Sequence, residues 1–415
     1  MNFGQFISVI LIAAIVGIAS NFAYSYLSAE KKNADEIKFE EFLDENWETT
    51  LEKSPYFASL LGDKRYDDKV SSNSVAGFYD NRDYEEYVLK VLDSINADNL
   101  SEENQLNYRL LKLDYEVSLE GRKYPSFYMR LNQRGGVQDY YDYGNRLNFT
   151  TKSDYLNWFE RVKGYTQNVK NSLINNREGL SKGYTQPRLV TEGVVSQIES
   201  LLDAEIDSHP YLRVFLGSDE VLGKDDAQEL ISEVKTYILE ELNPAYQELA
   251  TFLREEYLPQ SRTGIGIKEV PNGREWYEYL ARYHTTTDLT PDEIHEIGLQ
   301  EVARIRSEME DVMDSVAWEG DFRSFLEFLR TDPQFYYETG EELLDAYRAM
   351  SKKIDAYMPT LFNKLPRAPY GVIPIPMESA PFTTTAYYNA PSAGRPGYFY
   401  ANLYKPETRP KYEIP

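Results

Sequence analysis

The stretch TPDEIHEIGLQEVARI, residues 290–305, decides the fold class. Thr290 can cap a helix, Pro291 suits the first helical position, and Glu293 completes a capping box. Ile294, Ile297, Val302, Ile305, Met309 and Val312 then recur along one side at helical spacing. TGEE, residues 339–342, repeats the capping pattern and opens a second helix through Leu344, Tyr347, Ile354 and Leu361. Working outward, Leu106, Leu110, Leu113 and Val117 follow the cap-like Ser101. Leu230, Val234, Ile238 and Leu242 mark a helical run over residues 225–257. The chain from residue 35 to about residue 361 is therefore expected to be mainly α.

The texture changes after that. Eleven of the 20 prolines lie between Pro359 and Pro415, a density that no long helix survives. GVIPIP (residues 371–376) and GYFYANLY (residues 397–404) are short enough to be edge strands or cleft walls. In the second, Tyr398, Tyr400 and Asn402 share one face and Phe399, Ala401 and Leu403 the other. That pattern suits a strand with its back on a core and its front on a ligand, and equally an ordinary half-buried edge strand. The expected organisation is a leader or anchor over residues 1–30, a helical body over 31–358, and a proline-rich segment with short strands over 359–415.

Composition excludes several function classes. A net charge of -24 leaves no Lys/Arg surplus to displace phosphate counterions, so nucleic acid is not an expected partner, nor is anionic lipid. There is no cysteine, so disulfides, thiol catalysis, Cys-type zinc sites and a lipid anchor on cysteine are excluded. The 35 tyrosines suit half-buried positions or a cleft rich in aromatic contacts. Residues 6–19, FISVILIAAIVGIA, are almost wholly apolar. About fourteen residues fit the core of a cleaved export signal better than a spanning helix, which needs about twenty. Ala23 and Ser25 offer a cleavage site, although the first basic pair, Lys31-Lys32, follows the apolar run. An uncleaved anchor or a buried helix are the other readings. Signal and anchor alike place the remaining chain outside the cytoplasm.

The common chemical signatures are missing. There is no phosphate-binding G-x-x-x-x-G-K-[ST] and no G-x-S-x-G. Of the three histidines, His209, His284 and His295, no two lie three to five residues apart, so no H-E-x-x-H zinc helix exists. His295-Glu296 is open to three readings: a helix histidine satisfied near the core, a substrate-contacting or metal-supporting pair, or a metal ligand. Arg395-Pro396-Gly397 reads as a turn before a strand, or as an arginine at a cleft mouth clamping a carboxylate.

Three segments together resemble a known family: TTTDLTPDEIHEIGLQEVARI (residues 285–305), YYNAPSAGRPGYFYANLYKPETRPKYE (387–413) and PYFASLLGDKRYDD (55–68). They are similar to the bacterial DUF885 family, and the similarity runs from about residue 35 to the last. The resemblance implies a largely helical scaffold of an exported, zinc-dependent peptidase. In that family the segment like 395–413 leads into a helix carrying H-E-x-x-P-G-H-H, which supplies metal-binding histidines and a catalytic glutamate. This sequence ends at Pro415, before such a motif. Zinc is thus expected for a full-length member, while no catalytic or metal-ligating residue is carried over and this chain alone is expected to be inactive. By analogy, Arg395, Tyr398, Tyr400 and Asn402 are expected to contact peptide substrate, with His295 and Glu296 supporting or touching it. The export machinery is the other expected partner. The location expected is the periplasm, free or anchored to the inner membrane. A periplasmic or membrane-tethered peptide-binding protein without catalysis is the alternative.

Overall fold

The computed structural model describes residues 33–377, 380, 384–391 and 396–413. The apolar run at residues 6–19 and Arg395 lie outside the described residues. The chain is mainly α-helical, with one small three-stranded sheet near its C-terminal end. It falls into two compact units, Met1–Pro291 and Asp292–Pro415. Among the described residues, no helix is long and apolar enough to cross a membrane.

The first unit starts with α1 (Ala34–Lys53), capped by Asn33, whose side chain accepts from the Glu36 N–H at 2.9 Å. The short α2 (Pro55–Leu60) follows, then α3 (Val75–Leu92) and α4 (Glu102–Gly121). Phe39, Phe42, Val88, Leu92 and Tyr108 form their shared core. Here the packed side of α4 differs from the expected one. Leu106, Leu110 and Leu113 are 50%, 57% and 49% exposed, while Tyr108 is buried and Leu111 and Tyr115 pack against the cluster. Tyrosine wins this position because it brings both a ring and a donor. Tyr108 donates to the Leu92 carbonyl at 3.1 Å and Tyr115 to the Asn46 side chain at 2.7 Å, so each hydroxyl has an acceptor.

The main core surrounds α5 (Lys152–Ser181), opened by a reciprocal Thr151–Asp154 capping box. Tyr155, Trp158, Val162, Tyr165 and Val169 pack there against α6 (Arg188–Leu202) and the α7 (Lys224–Tyr237) to α8 (Asn243–Phe252) run. Leu230, Val234, Ile238 and Leu242 are buried as their spacing predicts. Two π turns interrupt this run, Ile238–Leu242 and Leu253–Tyr257. Each precedes a proline, Pro244 or Pro259, which lacks an N–H and crowds the carbonyl four residues back; the wider turn relieves both. The unit ends with α9 (Gly273–Thr285).

The family-like segment 55–68 gains its structural meaning here. Arg161 of α5 is 1% exposed. Its Nε donates to the Lys69 carbonyl at 2.9 Å. Its Nη2 donates to Ser59 Oγ at 2.8 Å, the Tyr66 carbonyl at 3.0 Å and the Pro55 carbonyl at 3.3 Å. One guanidinium thus gathers the whole loop around a single point.

The second unit contains α10 (Pro291–Ser315), α11 (Phe322–Thr331) and α12 (Gly340–Asp355). The helix over 290–305 exists as its sequence predicts, yet its apolar side is not a core. Ile297, Val302, Ile305 and Val312 are exposed, Val302 by 68%, and Met313 is the residue of α10 that is buried. Spacing sets which residues share a face; it does not supply a partner for that face. Thr339 caps α12, accepting from the Glu342 N–H at 3.2 Å, while Glu342 reaches back to the Glu338 N–H. Leu344 and Tyr347 are buried as expected; Ile354 and Leu361 are exposed.

Strands β1 (Tyr370–Pro374), β2 (Ala386–Asn389) and β3 (Gly397–Ala401) form a sheet in the order β1-β3-β2. β1 runs parallel to β3 and β2 antiparallel to it. Val372, Phe399, Ala401 and Leu403 pack on Leu343, Leu344 and Tyr347 of α12.

Candidate functional site

β3 is the central strand, not an edge. The register pairs Gly371 with Tyr398, Ile373 with Tyr400, Tyr387 with Tyr400 and Asn389 with Tyr398. The Gly397 N–H donates to the Pro369 carbonyl and the Ile375 N–H to the Ala401 carbonyl, so the odd residues of β3 serve β1. The Asn402 N–H donates to the Thr385 carbonyl, so the even residues serve β2. The backbone of β3 is thereby fully committed. Two neighbours 11 to 27 residues upstream fill its edges, a pairing that sequence distance conceals.

The same alternation defines what remains available. On β2, Ala386 and Tyr388 direct their N–H and C=O groups away from β3. On the far side of β1, Tyr370 and Val372 do the same, but Pro374 has no N–H to offer. The β2 edge is the one that presents donor and acceptor at every outward position.

The two faces of β3 divide as the sequence predicts. Phe399 and Ala401 face the α12 core, with Phe399 5.6 Å from the Tyr347 ring. Tyr398 and Tyr400 are half-buried on the opposite face. Tyr387 stacks on Tyr400 with centroids 4.8 Å apart and planes at 13°, and Tyr398 meets Tyr400 edge-on at 6.2 Å. Burial raises the Tyr387 phenol above its ordinary pKa, and Tyr400 adds to it. Asn402 departs from the expected surface. It is 0% exposed, donating to the Ala380 and Thr384 carbonyls at 2.8 and 3.1 Å and accepting from the Tyr404 N–H at 3.0 Å. The strand ends at Ala401, so the alternation that put Asn402 beside Tyr400 no longer holds. Its amide closes the loop instead. His295 and Glu296 lie exposed on α10. β2, with Tyr387, was not foreseen; its four residues, AYYN, are too few for a periodicity signal.

A family model described as "Bacterial protein of unknown function (DUF885)" matches residues 55–415, most of the chain. The chain belongs to the DUF885 family. Two solved structures share the fold of this DUF885 chain. One is a "putative lipoprotein" of Colwellia psychrerythraea, 20% identical, with a TM-score of 0.73 over 88% of this chain and 66% of that one. The other is a "putative lipoprotein of unknown function" of Shewanella oneidensis, 13% identical, with a TM-score of 0.62 over 90% and 65%. The DUF885 chain spans about two thirds of the length of these structures. No curated protein matches it.

Zinc, which the family resemblance implies, does not fit the residues described. Among them, no three His, Asp or Glu side chains gather as a ligand set. His209 is buried in the first unit, accepting weakly from the Tyr211 N–H at 3.4 Å, and burial pushes its pKa down to about 4 against an opposing contact from Asn243. His284 ends α9, and His295 sits on α10. No step through a metal is derived from these residues.

Proposed function

We propose that this DUF885 chain is the scaffold and peptide-binding part of an exported zinc-dependent peptidase, holding substrate extended along the free edge of β2. The observation that carries this reading is the backbone of Ala386 and Tyr388, unpaired among the described residues, beside the Tyr387–Tyr400 stack. An extended peptide adds to such an edge through main-chain hydrogen bonds, and its alternate side chains meet the tyrosines. Tyr398 extends the same surface, and Arg395 precedes it in the chain. The apolar run at 6–19 and the lipoprotein names of the two structural neighbours support an exported, envelope-associated location. Peptide binding without hydrolysis is the activity assigned to this chain by itself. The wide separation of its histidines favours the same behaviour under a second reading, a non-catalytic peptide-binding protein.

The test is calorimetric titration of the full chain with unstructured peptides, followed by mass spectrometry of the peptide. Binding with intact peptide supports the proposal. Absence of binding across basic, neutral and aromatic peptides would overturn it. Added zinc separates the two readings once a longer chain carrying the H-E-x-x-P-G-H-H helix is compared: hydrolysis there identifies the peptidase.

A further inference from the structure

One face of α5 carries buried donors without acceptors. Trp158, Arg161 and Tyr165 stand at i, i+3 and i+7 of the helix and are 2%, 1% and 3% exposed. Trp158 Nε1, Arg161 Nη1 and the Tyr165 hydroxyl have no hydrogen-bond partner among the described residues. The other branches of the Arg161 fork are all engaged with residues 55–69, which leaves Nη1 on its own. Unpartnered buried groups of this kind are uncommon, and three on one helix face call for a common cause.

Among the described residues, the surroundings supply these three groups with no hydrogen-bond acceptor. The Tyr140 ring is tilted against Tyr165, with centroids 4.4 Å apart and planes at 32°, and Tyr143 meets Tyr165 edge-on at 6.1 Å. The Trp158 ring lies 5.9 Å from that of Tyr165. Tyr56 stacks on Tyr143 at 4.4 Å and gives its hydroxyl to the Tyr143 carbonyl at 3.3 Å. Tyr165 follows Arg161 by four residues on α5; burial raises its phenol pKa and the Arg161 charge opposes that rise. The nearest carboxylate to Arg161 is Asp67, 4.0 Å from Nη2 rather than Nη1, and it already accepts from Ser59.

Counting hydrogens selects the occupant. An indole N–H and a guanidinium only donate; with the phenol, the face offers four hydrogens. A water molecule accepts two and leaves the rest unmet. A monatomic anion accepts from all of them and adds to the long ion pair, 4.0 Å, that Arg161 makes with Asp67. We propose that this face of α5 is a buried halide site, with chloride held by Trp158 Nε1, Arg161 Nη1 and the Tyr165 hydroxyl. Its role is to fix Arg161, and through it the loop of residues 55–69, so the first unit is stabilised by chloride.

The experiment is crystallographic and thermal, on the full chain. Crystals grown without halide are soaked in sodium bromide, and the anomalous signal is mapped. A peak within hydrogen-bonding reach of Trp158 Nε1 and Arg161 Nη1 upholds the proposal. An empty map or a water there overturns it, whatever the melting behaviour. In solution, replacing gluconate by chloride at constant ionic strength is expected to raise the melting temperature by several degrees and to saturate, as ligand binding to the native state does. Trp158→Phe and Tyr165→Phe keep the rings and remove one donor each. Both are expected to raise the half-saturating chloride concentration about tenfold, the equivalent of ~1.4 kcal/mol. Identical melting in chloride and gluconate contradicts the proposal without any variant.

Discussion

Arg161→Met removes the guanidinium that gathers residues 55–69 and keeps a stem of similar length. Four hydrogen bonds disappear, to Pro55, Ser59, Tyr66 and Lys69. Bonds to a charged group contribute about 1.5–3 kcal/mol each, so their plain sum would reach roughly 6–12 kcal/mol. That sum is an upper bound. Burial disfavours the charged form of Arg161, lowering its pKa, and the variant no longer bears this desolvation. Tyr66 is half-buried and Lys69 exposed, so water can reach their carbonyls, whereas Pro55 is buried at the start of α2. A net loss of about 4 kcal/mol is expected, in the range for breaking a buried charge contact. Arg161→Lys, which cannot fork, is expected to lose about half as much. Urea unfolding should show a lower midpoint with an unchanged slope. Hydrogen exchange should rise first in residues 55–69. A loss under ~1 kcal/mol, or unchanged exchange in that loop, would refute the reasoning.

Other perturbations test separate parts of the account. His209 has a folded pKa of about 4, below its ordinary 6.5, because burial disfavours the imidazolium. The unfolded chain therefore binds the extra proton first. Stability is full above pH 6.5 and falls by up to about 3 kcal/mol as pH drops through 4, a slope that His209→Gln should flatten in acid titrations followed by circular dichroism. In Gly144→Ala the new Cβ would sit 2.5 Å from Val214 Cγ2 and 2.8 Å from Trp158 Cζ2, so a loss of about 1–3 kcal/mol is expected in urea melts. Elemental analysis of dialysed protein is expected to find well under one zinc per chain, and a full equivalent would contradict the ligand-poor reading.

Helix positions were readable because caps and apolar spacing are local properties. Thr339 and Glu342 mark the start of α12 in sequence and structure alike. Which stripe packs was harder to read. Leu106, Leu110 and Leu113 spell a helix face, but Tyr108 and Tyr115 take the core because their hydroxyls meet acceptors on α1 and α3. The face of Tyr398 and Tyr400 followed from strand alternation, which fails at Asn402 where the strand stops. The central place of β3 rests on non-local pairing, and so does the hold of Arg161 on a loop about a hundred residues away; no window of sequence contains either.

Peptide affinity of the Tyr388→Pro variant bears most directly on the proposed function. The outward N–H of Tyr388 is used by no strand of the sheet, so proline removes a donor that an incoming peptide needs while leaving the β2–β3 ladder intact. With melting temperature unchanged, calorimetry is expected to show about a tenfold loss of affinity, the worth of ~1.4 kcal/mol. Equal affinity in the variant and the parent chain would mean that peptides, if they bind, do not bind along β2.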